Sequence, residues 1–404
     1  MQATDTAVIP GEATQFNHNT YIADSNNITL KNNIFMRPSS MNNKFTANIY
    51  GVKALTNTGN GYILEAVNVV DTDSMQLGTY TLTCTQQVEN GGVFSVRAPD
   101  GSYLSDATTG VTYSDVLSFK IIDGSIDWAL GDSITIEIKY WISSDIEMTN
   151  NLYIDGEIGI GLGGNSVSPY RFKDVDIIGN VFTKMNDSKS FNRDIAWVIE
   201  ARDWDVGNVL NNCIIHNDEP NSYAIATRGT SRNLRFSGNV IYDFKNVLNA
   251  IWIKNDDGSG ISATTFSDNL IDNPTSSGVT IRAEYDTAGK WTFQGNKYFS
   301  DRAEPYRFYI GGDVTFDSWK TLTGDNSTFE QHSFPDPTRS IETYMASLGE
   351  TATIDVFIAK ARAQDRYNWD TRYTADAVND YIRAGFGMGQ RRLFRNVRIG
   401  EVEP

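Results

Sequence analysis

Asn212-Cys213-Ile214-Ile215 is one copy of a short phrase, an Asn followed by apolar residues, that returns throughout residues 150–300. The copies begin at Asn151, Asn180, Asn212, Asn239, Asn269 and, more weakly, Asn296. The intervals between these Asn residues are 29, 32, 27, 30 and 27. A period of this length indicates a stacked repeat architecture, in which each repeat buries its apolar face against its neighbours.

Each period also contains a second β-like run and turn residues, but no helical pattern. The sequence therefore predicts a right-handed parallel β-helix in which every period is one coil of three short strands. Asn tolerates the left-handed backbone conformation at a tight turn, and its amide can bond the Asn of the next coil. We therefore predict an internal Asn ladder, with the apolar residues that follow each Asn stacked in the core.

Residues 59–141 have a different texture, with alternating strand patterns separated by turn pairs such as Gly91-Gly92. Short strands at this spacing predict an antiparallel β-sandwich. The ladder phrase also occurs at Asn33, 118 residues before Asn151. Removing the 83 residues of the sandwich from this gap leaves 35, about one coil. The sandwich is therefore predicted to be inserted into the β-helix.

Beyond the repeats, a loop is expected from residue 317, and residues 334–390 change to the helical period of 3.6. Three helices are predicted there, near residues 340–349, 353–361 and 374–384. We expect this segment to cap the solenoid or to pack along it. The predicted domains are 1–58 (first β-helix coils), 59–141 (inserted sandwich), 142–333 (main β-helix), 334–390 (helical segment) and 391–404 (tail).

Charge and composition exclude several classes of function. The net charge of −16 argues against nucleic-acid binding, since neutralising phosphates needs clusters of Lys and Arg. No apolar run approaches the roughly 18 residues of a membrane helix. Cys84 and Cys213 fall in different predicted units, so we expect free thiols. The N-terminus lacks the basic start and apolar segment of a secretion signal, which predicts synthesis in a cytoplasm. The basic tail, residues 391–404, is expected to dock on a partner or to form a surface strand.

The candidate chemistry lies on the outer wall of the coils. Aligning the second strand of each coil brings together Glu200, Arg202, Arg228, Lys254, Arg282 and Glu284. Stacked coils place equivalent positions ~4.8 Å apart, so these charges are expected to form a stripe. A uronate lyase needs a cation to neutralise the carboxylate and a base to remove a proton, which makes Arg228, Lys254 and Arg282 the catalytic candidates. The alternative is a solvated face of alternating charges.

Aromatic side chains on such a wall can stack on sugar rings. The candidates for carbohydrate binding are Glu200, Arg202, Trp204, Trp252 and Glu284, although some tryptophans must belong to the core. A hydrolase needs two carboxylates that flank one glycosidic bond. Glu200 and Glu284 have the right chemistry, but three coils separate them, which is too far.

The sequence predicts no metal site and no cofactor. The histidines, His18, His216 and His332, are scattered and lack zinc-site spacing. Acidic turns at residues 203–205 and 256–257 offer oxygen ligands that suit calcium, but neither has EF-hand spacing.

Two groups of phrases resemble known families. GTYTLTCTQQVENGGVFSVRAPDG (78–101) and LSFKIIDGSIDWALGDSITIEI (117–138) resemble a small β domain of tailed-bacteriophage virion proteins, particularly head decoration proteins. DGEIGIGLGGNSVSPYRFKDVDIIGNVFT (155–183) and IEARDWDVGNVLNNCIIHN (199–217) resemble bacterial pectate-lyase-like right-handed β-helix proteins. Residues 340–387 resemble the C-terminal segments of those bacterial proteins.

The first resemblance implies a virion surface protein, either a capsid decoration or a tail-spike-like appendage. Such a protein is expected to contact host or environmental polysaccharide, to have other virion proteins as partners and to form a homo-oligomer, with a trimer as the natural expectation. The second resemblance leaves a polysaccharide lyase or depolymerase as the alternative, and a bacterial wall adhesin is a third class. The β-helix fold alone does not choose among them, because it carries many activities.

Overall fold

A computed structural model describes residues 17–64, 67–71, 74–163, 171–185, 187, 196–217, 222–244, 249–254, 261–273, 278–284 and 287–389. The chain divides into two compact units. The first unit comprises Met1–Thr46 and Ile142–Pro404, and the second comprises Ala47–Trp141. Strand is far more frequent than helix, so the predicted mainly-β class is confirmed.

The first unit is a parallel β-helix, as predicted. Its strands form three sheets. Sheet 1 contains Thr20–Ala23, Met41–Thr46, Ile158–Leu162, Ala196–Arg202, Ser222–Arg228, Asn249–Ile253, Val279–Ala283, Phe308–Ile310 and a final antiparallel strand, Asp313–Val314. Sheet 2 contains Ile28–Lys31, Ser143–Thr149, Phe172–Ile178, Trp204–Leu210, Arg232–Ser237, Thr264–Ser267 and Trp291–Gln294. Sheet 3 contains Ile34–Met36, Leu152–Ile154, Val181–Thr183, Cys213–Asn217, Val240–Phe244, Leu270–Asn273, Lys297–Ser300 and Thr328–Phe329.

The Asn ladder is present at the corner between sheets 2 and 3. Each side-chain amide donates to the Oδ1 of the next ladder Asn at 2.9–3.1 Å, and the same Oδ1 accepts the backbone N–H of the donor residue. The members are Asn33, Asn151, Asn180, Asn212, Asn239, Asn269 and Asn296. The ladder ends at Ser327, whose hydroxyl accepts from Asn296 at 3.1 Å.

The sequence predicts a left-handed backbone at the ladder Asn itself. The structure corrects this, because the left-handed residue is the one before it. Asn150 has φ of 51°, Gly179 of 67° and Asn211 of 54°. Gly, Asn and Asp tolerate this conformation at the least cost, which explains why the position varies among them. The turn and the ladder are therefore separate tasks carried by adjacent residues.

Side chains of like type stack inside the coils because parallel strands in register place them one above the other. The rings of Phe35 and Tyr153 lie 5.1 Å apart, and those of Tyr153 and Phe182 lie 4.4 Å apart. Ile214 and Ile241 continue this row in the next two coils. Each such buried side chain stabilises the fold by roughly 1.5–3 kcal/mol.

The second unit interrupts a single coil. Asn33 bonds Asn151 directly although 118 residues separate them. Residues 47–141 account for 95 of these, which leaves 23 for the coil. The unit begins earlier than position 59, because strand Ile49–Thr56 pairs antiparallel with Ser133–Tyr140 and so is not part of the first coils.

The second unit is built from antiparallel strands. One sheet has the order Tyr103–Thr108, Gly91–Arg97, Gly78–Val88, Ser133–Tyr140 and Ile49–Thr56. The other contains Thr112–Ser114, Leu117–Ile122, Tyr62–Ile63 and Asn68–Val69. Alternate residues of both sheets, among them Leu82, Phe94 and Phe119, share one buried core.

The C-terminal region contains helices α1 (Phe316–Thr323), α2 (Ile341–Ser347), α3 (Ile354–Arg362) and α4 (Ala375–Gly385), with a 3-10 turn at Thr371–Tyr373. Helix α1 occupies the region where a loop was expected. Its buried Trp319 lies 5.2 Å from the ring of Phe308 in the last parallel strand of sheet 1. The Trp319 indole and the Tyr298 hydroxyl both donate to Asp325 at 3.0 Å. Helix α1 therefore closes the C-terminal end of the coils.

Helices α2 to α4 do not close an end of the solenoid but lie along its side. Their apolar residues, such as Phe357 and Ile382, share a buried cluster with Val181 and Cys213 on the outer face of sheet 3. Helix α4 is also tied to the ladder corner, where Asn379 donates to the Asn150 carbonyl at 3.1 Å.

Further expectations concern the cysteines, the tail and membrane helices. Cys84 and Cys213 are both buried free thiols, as predicted. The tail 391–404 lies outside the described residues. No helix in the described part of the chain is long and apolar enough to cross a membrane.

Candidate functional site

The outer face of sheet 1 carries a row of charged and aromatic side chains. Its backbone register aligns Glu200, Ala226, Trp252, Arg282 and Tyr309 on five successive strands. Neighbouring strands lie ~4.8 Å apart, so the row extends for roughly 19 Å. We call this row and the side chains that contact it the sheet 1 stripe.

Trp252 lies at the centre of the stripe. Its indole N–H donates to Glu284 Oε1 at 2.8 Å, and its ring stacks on Tyr223 at 4.6 Å. Lys254 Nζ lies 5.0 Å and the Arg228 guanidinium 5.7 Å from the ring centroid, within cation–π range. Only 9% of Trp252 is exposed. Trp252 therefore anchors its neighbours and does not present an open face to a sugar.

The remaining predicted cations are positioned by carboxylates and rings. Arg228 pairs with Glu200 at 3.2 Å, and both side chains are largely buried. Arg282 lies 3.6 Å from Glu284, with its guanidinium 4.0 Å from the Tyr309 ring centroid. About a third of the Arg282 side chain is exposed, against 17% for Arg228. The more accessible cation of the two is therefore Arg282.

The structure also corrects the prediction for Trp204. Trp204 is fully buried, and its indole N–H donates to the Leu162 carbonyl at 3.2 Å. The left-handed Asp203 (φ 61°) precedes it at the bend between sheets 1 and 2, and the following side chain enters the core. Trp204 is therefore a core residue that does not contact a surface ligand.

Arg202 stays on the edge of the stripe. It is in register with Arg228 and lies 3.7 Å from Asp203. A Cβ at Gly163 would lie 2.9 Å from the Arg202 Cβ, so the stem of this side chain packs on a neighbouring strand.

The carboxylates of the stripe do not form a hydrolase pair. Glu200 and Glu284 lie on strands three steps apart, a separation of roughly 14 Å along the sheet. Retaining and inverting glycosidases hold their carboxyl groups at roughly 5–9.5 Å. Glu200 is also engaged by Arg228, and Glu284 by Trp252.

The stripe can neutralise an anion more readily than it can remove a proton. Arg228, Lys254 and Arg282 supply positive charge along the row. Burial raises the pKa of Tyr223, which disfavours its phenolate as a base. The geometry thus supports recognition of carboxylate and hydroxyl groups.

The acidic turns beside the stripe serve the fold. Asp203 accepts the Thr230 N–H at 3.1 Å, and burial raises the pKa of Asp203. Asp205 binds Arg232 through two hydrogen bonds of 2.9 and 3.0 Å, which lower its pKa. Within the described ranges, no group of three or more His, Cys, Asp or Glu side chains could hold a metal ion. Positions 256–257 lie outside those ranges.

Sequence reasoning missed two aromatic members of the stripe. Tyr309 follows Arg282 by 27 residues, one repeat period, so the period itself could have identified it. Tyr223 is the second residue of strand Ser222–Arg228, next to the strand of Trp252. Its ring contact with Trp252 is diagonal, since the register partner of Trp252 is Ala226.

Comparisons with known proteins leave the chain without a family. No family model matches it, and no curated protein matches it. Two crystal structures of Xanthomonas campestris FlgL are 22% identical over 23% of this chain, with TM-scores of 0.18, and the match spans only 30% and 29% of those chains. The Gp54 tailspike of Acinetobacter baumannii bacteriophage AP22, solved with a capsular saccharide, is 8% identical over 73% of this chain and 63% of its own, with a TM-score of 0.11. These scores are too low to carry an argument about fold or function.

Proposed function

We propose that this protein contacts polysaccharide through the sheet 1 stripe and that it does so as a surface component of a tailed-bacteriophage particle. The observation that supports the contact is the row of Arg, Lys, carboxylate and aromatic groups along one wall of a solenoid. A polysaccharide is an extended chain that repeats hydroxyl and carboxylate groups, and the stripe repeats suitable partners at the strand spacing.

The virion part of the proposal rests on sequence. Residues 78–101 and 117–138 resemble a β domain of phage head decoration proteins, and both segments lie in the second unit. A capsid decoration or a tail-spike-like appendage would have other virion proteins and further copies of this chain as partners, with a trimer as the expected oligomer.

Affinity electrophoresis tests the contact. The protein is run through gels that contain alginate, polygalacturonate, hyaluronan or dextran, beside the double variant Lys254→Ala/Arg282→Ala. We expect at least one acidic polymer to retard the parent and to retard the double variant much less. The matched control is Arg235→Ala, which removes an exposed Arg from sheet 2. Equal retardation of the parent and the double variant by every polymer would refute the role of the stripe.

Mass spectrometry of purified phage particles tests the location. The chain should be present in a fixed ratio to the capsid protein and should remain after washing in high salt. Its absence from particles made by cells that express it would overturn the virion assignment without affecting the result on polysaccharide.

The alternative function is a polysaccharide lyase that uses Arg228, Lys254 and Arg282. Incubation with the same acidic polymers should then produce the ultraviolet absorbance of unsaturated uronates, and Lys254→Ala or Arg282→Ala should abolish it. Retardation in the gels without any such product is the result expected for contact without cleavage.

A further inference from the structure

The loop between helices α3 and α4 holds two aromatic side chains in solvent. Tyr367 is 80% exposed and Trp369 is 64% exposed. The guanidinium of Arg366 lies 4.5 Å from the Tyr367 ring centroid. Side chains of this size are usually buried, so a pair of them two residues apart is informative.

The loop that carries these rings is fixed by its own hydrogen bonds. Asp365 Oδ1 accepts the backbone N–H groups of Tyr367 at 2.6 Å and of Asn368 at 3.2 Å. The side-chain amide of Asn368 donates to the Ala363 carbonyl at 2.9 Å. The backbone that presents Tyr367 is therefore held in one turn conformation.

A second set of bonds fixes the other side of the loop. The Gln364 side chain donates to the Tyr373 carbonyl at 2.8 Å and accepts the Asp370 N–H at 2.7 Å. Arg372 Nη2 donates to Asp370 Oδ2 at 2.7 Å. Because the loop is already ordered, little conformational entropy is lost when a ligand packs on its rings.

The size of the apolar surface indicates the kind of ligand. Two rings of this type, exposed to this degree, offer roughly 200–300 Å². A stable protein interface buries roughly 800 Å² on each partner. The neighbouring residues of the loop, including Asp365, Arg366, Asn368 and Asp370, are polar. Exposed aromatic rings among polar side chains suit a sugar ring, whose C–H faces are apolar and whose hydroxyls lie at its edge.

We propose that Tyr367 and Trp369 form a second carbohydrate-contact site. The pyranose face packs on the two rings, while Arg366 and the free oxygen of Asp365 bond its hydroxyl groups. The site lies on the helices that cover sheet 3 and is therefore separate from the sheet 1 stripe. It shares only the class of ligand with the proposed function, and a single polysaccharide contacting both sites would be held more tightly than by either one.

Fluorine NMR of the full chain labelled with 5-fluorotryptophan tests this site directly. The eight tryptophans give separate resonances, and Trp369→Phe and Trp252→Phe assign those of the loop and the stripe. Short oligosaccharides of alginate, hyaluronan, dextran and chitin are then added at rising concentration. We expect the Trp369 resonance to shift saturably with at least one of them, and Tyr367→Ala to weaken that affinity by about tenfold.

The outcomes separate the two sites. A Trp369 resonance that none of these sugars moves overturns the second site, whatever the stripe variants do in gels. Broadening of Trp369 only on concentrating the protein also overturns it, because the rings would then serve self-association. If the Trp369 resonance shifts but the parent and the Lys254→Ala/Arg282→Ala variant are retarded equally in the gels, the loop site is supported and the stripe is refuted. Unchanged thermal melting of Trp369→Phe and Tyr367→Ala confirms that both variants fold.

Discussion

Sheets 1 and 3 are both built from one parallel strand per coil, but the side chains on their outer faces differ in kind. Sheet 3 turns Leu152, Val181 and Cys213 outward, and helices α2 to α4 bury them. Sheet 1 turns Glu200 and Arg282 outward, where they pair with nearby charges and rings. Along each strand, outward-facing residues alternate with those that face the core. The chemistry of the outward-facing residues decides whether a wall is covered by other parts of the chain or faces solvent.

Under the proposed function, sheet 3 would serve stability and sheet 1 recognition. Substitutions at the ladder or under the helices should lower the free energy of unfolding and leave binding unchanged in the folded fraction. Substitution of a more exposed cation of the stripe, such as Arg282, should weaken binding and change the free energy of unfolding little.

Breaking the ladder should have the largest effect. Asn212→Ala removes four hydrogen bonds from the buried corner. The backbone and side-chain N–H groups of Asn180 lose their acceptor, and the Ile177 carbonyl and Asn239 Oδ1 lose a donor. The Asn180 amide keeps its bond to the Met148 carbonyl, and Asn239 Oδ1 keeps the backbone N–H of residue 212, so two groups are orphaned outright. Each orphaned buried group costs roughly 1–3 kcal/mol, so we expect a loss of about 2–6 kcal/mol in urea unfolding. The control is Asn208→Ala, a partly exposed Asn on sheet 2. If the ladder variant is no less stable than this control, the corner must rearrange so that the remaining polar groups find other hydrogen-bond partners.

Truncating the helical cover should cost somewhat less. Ile382 is fully buried in the cluster that α4 forms with sheet 3. Ile382→Ala removes buried apolar volume and should lower the free energy of unfolding by roughly 2–4 kcal/mol. Limited proteolysis should then cleave the region between α3 and α4 sooner than in the parent. Unchanged stability would mean that the helices are dispensable for sheet 3.

Much of this architecture could be predicted from sequence because the same chemistry repeats. The Asn phrase identified the coils and the ladder, since a side-chain amide can both donate to and accept from its equivalent one coil away. The start of the second unit could not be placed, because the sequence does not show which strand Ile49–Thr56 pairs with, and only its antiparallel partner reveals its unit.

The site was partly predictable for the same reason. The period aligned Arg228, Lys254 and Arg282 on one wall, and the structure keeps them there, around Trp252. Trp204 was misassigned because the orientation of a side chain next to a bend depends on one left-handed residue, Asp203, which no periodicity shows. The burial of Trp252 depends on a diagonal ring contact that register alone does not reveal.

A buried carboxyl under the helical cover should make stability depend on pH. Burial raises the pKa of Asp272 from 3.8 to about 6. The hydrogen bond that the His332 backbone N–H donates to this carboxyl lowers the pKa, but by less. The folded state therefore holds this proton more tightly than the unfolded chain does. The resulting stabilisation, up to about 3 kcal/mol, is complete below the unfolded pKa and is lost as pH rises through about 6.

Asp272→Asn should flatten urea unfolding free energies measured between pH 4 and pH 7. Asp205 provides the control of opposite sign, because Arg232 lowers its pKa and its stabilisation is lost as pH falls. A parent whose stability rises across the same range, with a slope that Asp272→Asn leaves unaltered, would contradict the assignment.

The smallest effect on stability is expected in the stripe itself. Arg282 is about one-third exposed, and its contact with Glu284 is that of a partly solvated ion pair. Arg282→Ala should cost less than about 1 kcal/mol of unfolding free energy. The same change should weaken retardation by acidic polysaccharide several-fold, most clearly at low salt, because screening shortens the reach of the charge. If Arg282→Ala instead destabilises the chain as much as Ile382→Ala while binding persists, then sheet 1, like sheet 3, is a structural wall and recognition lies elsewhere on the molecule.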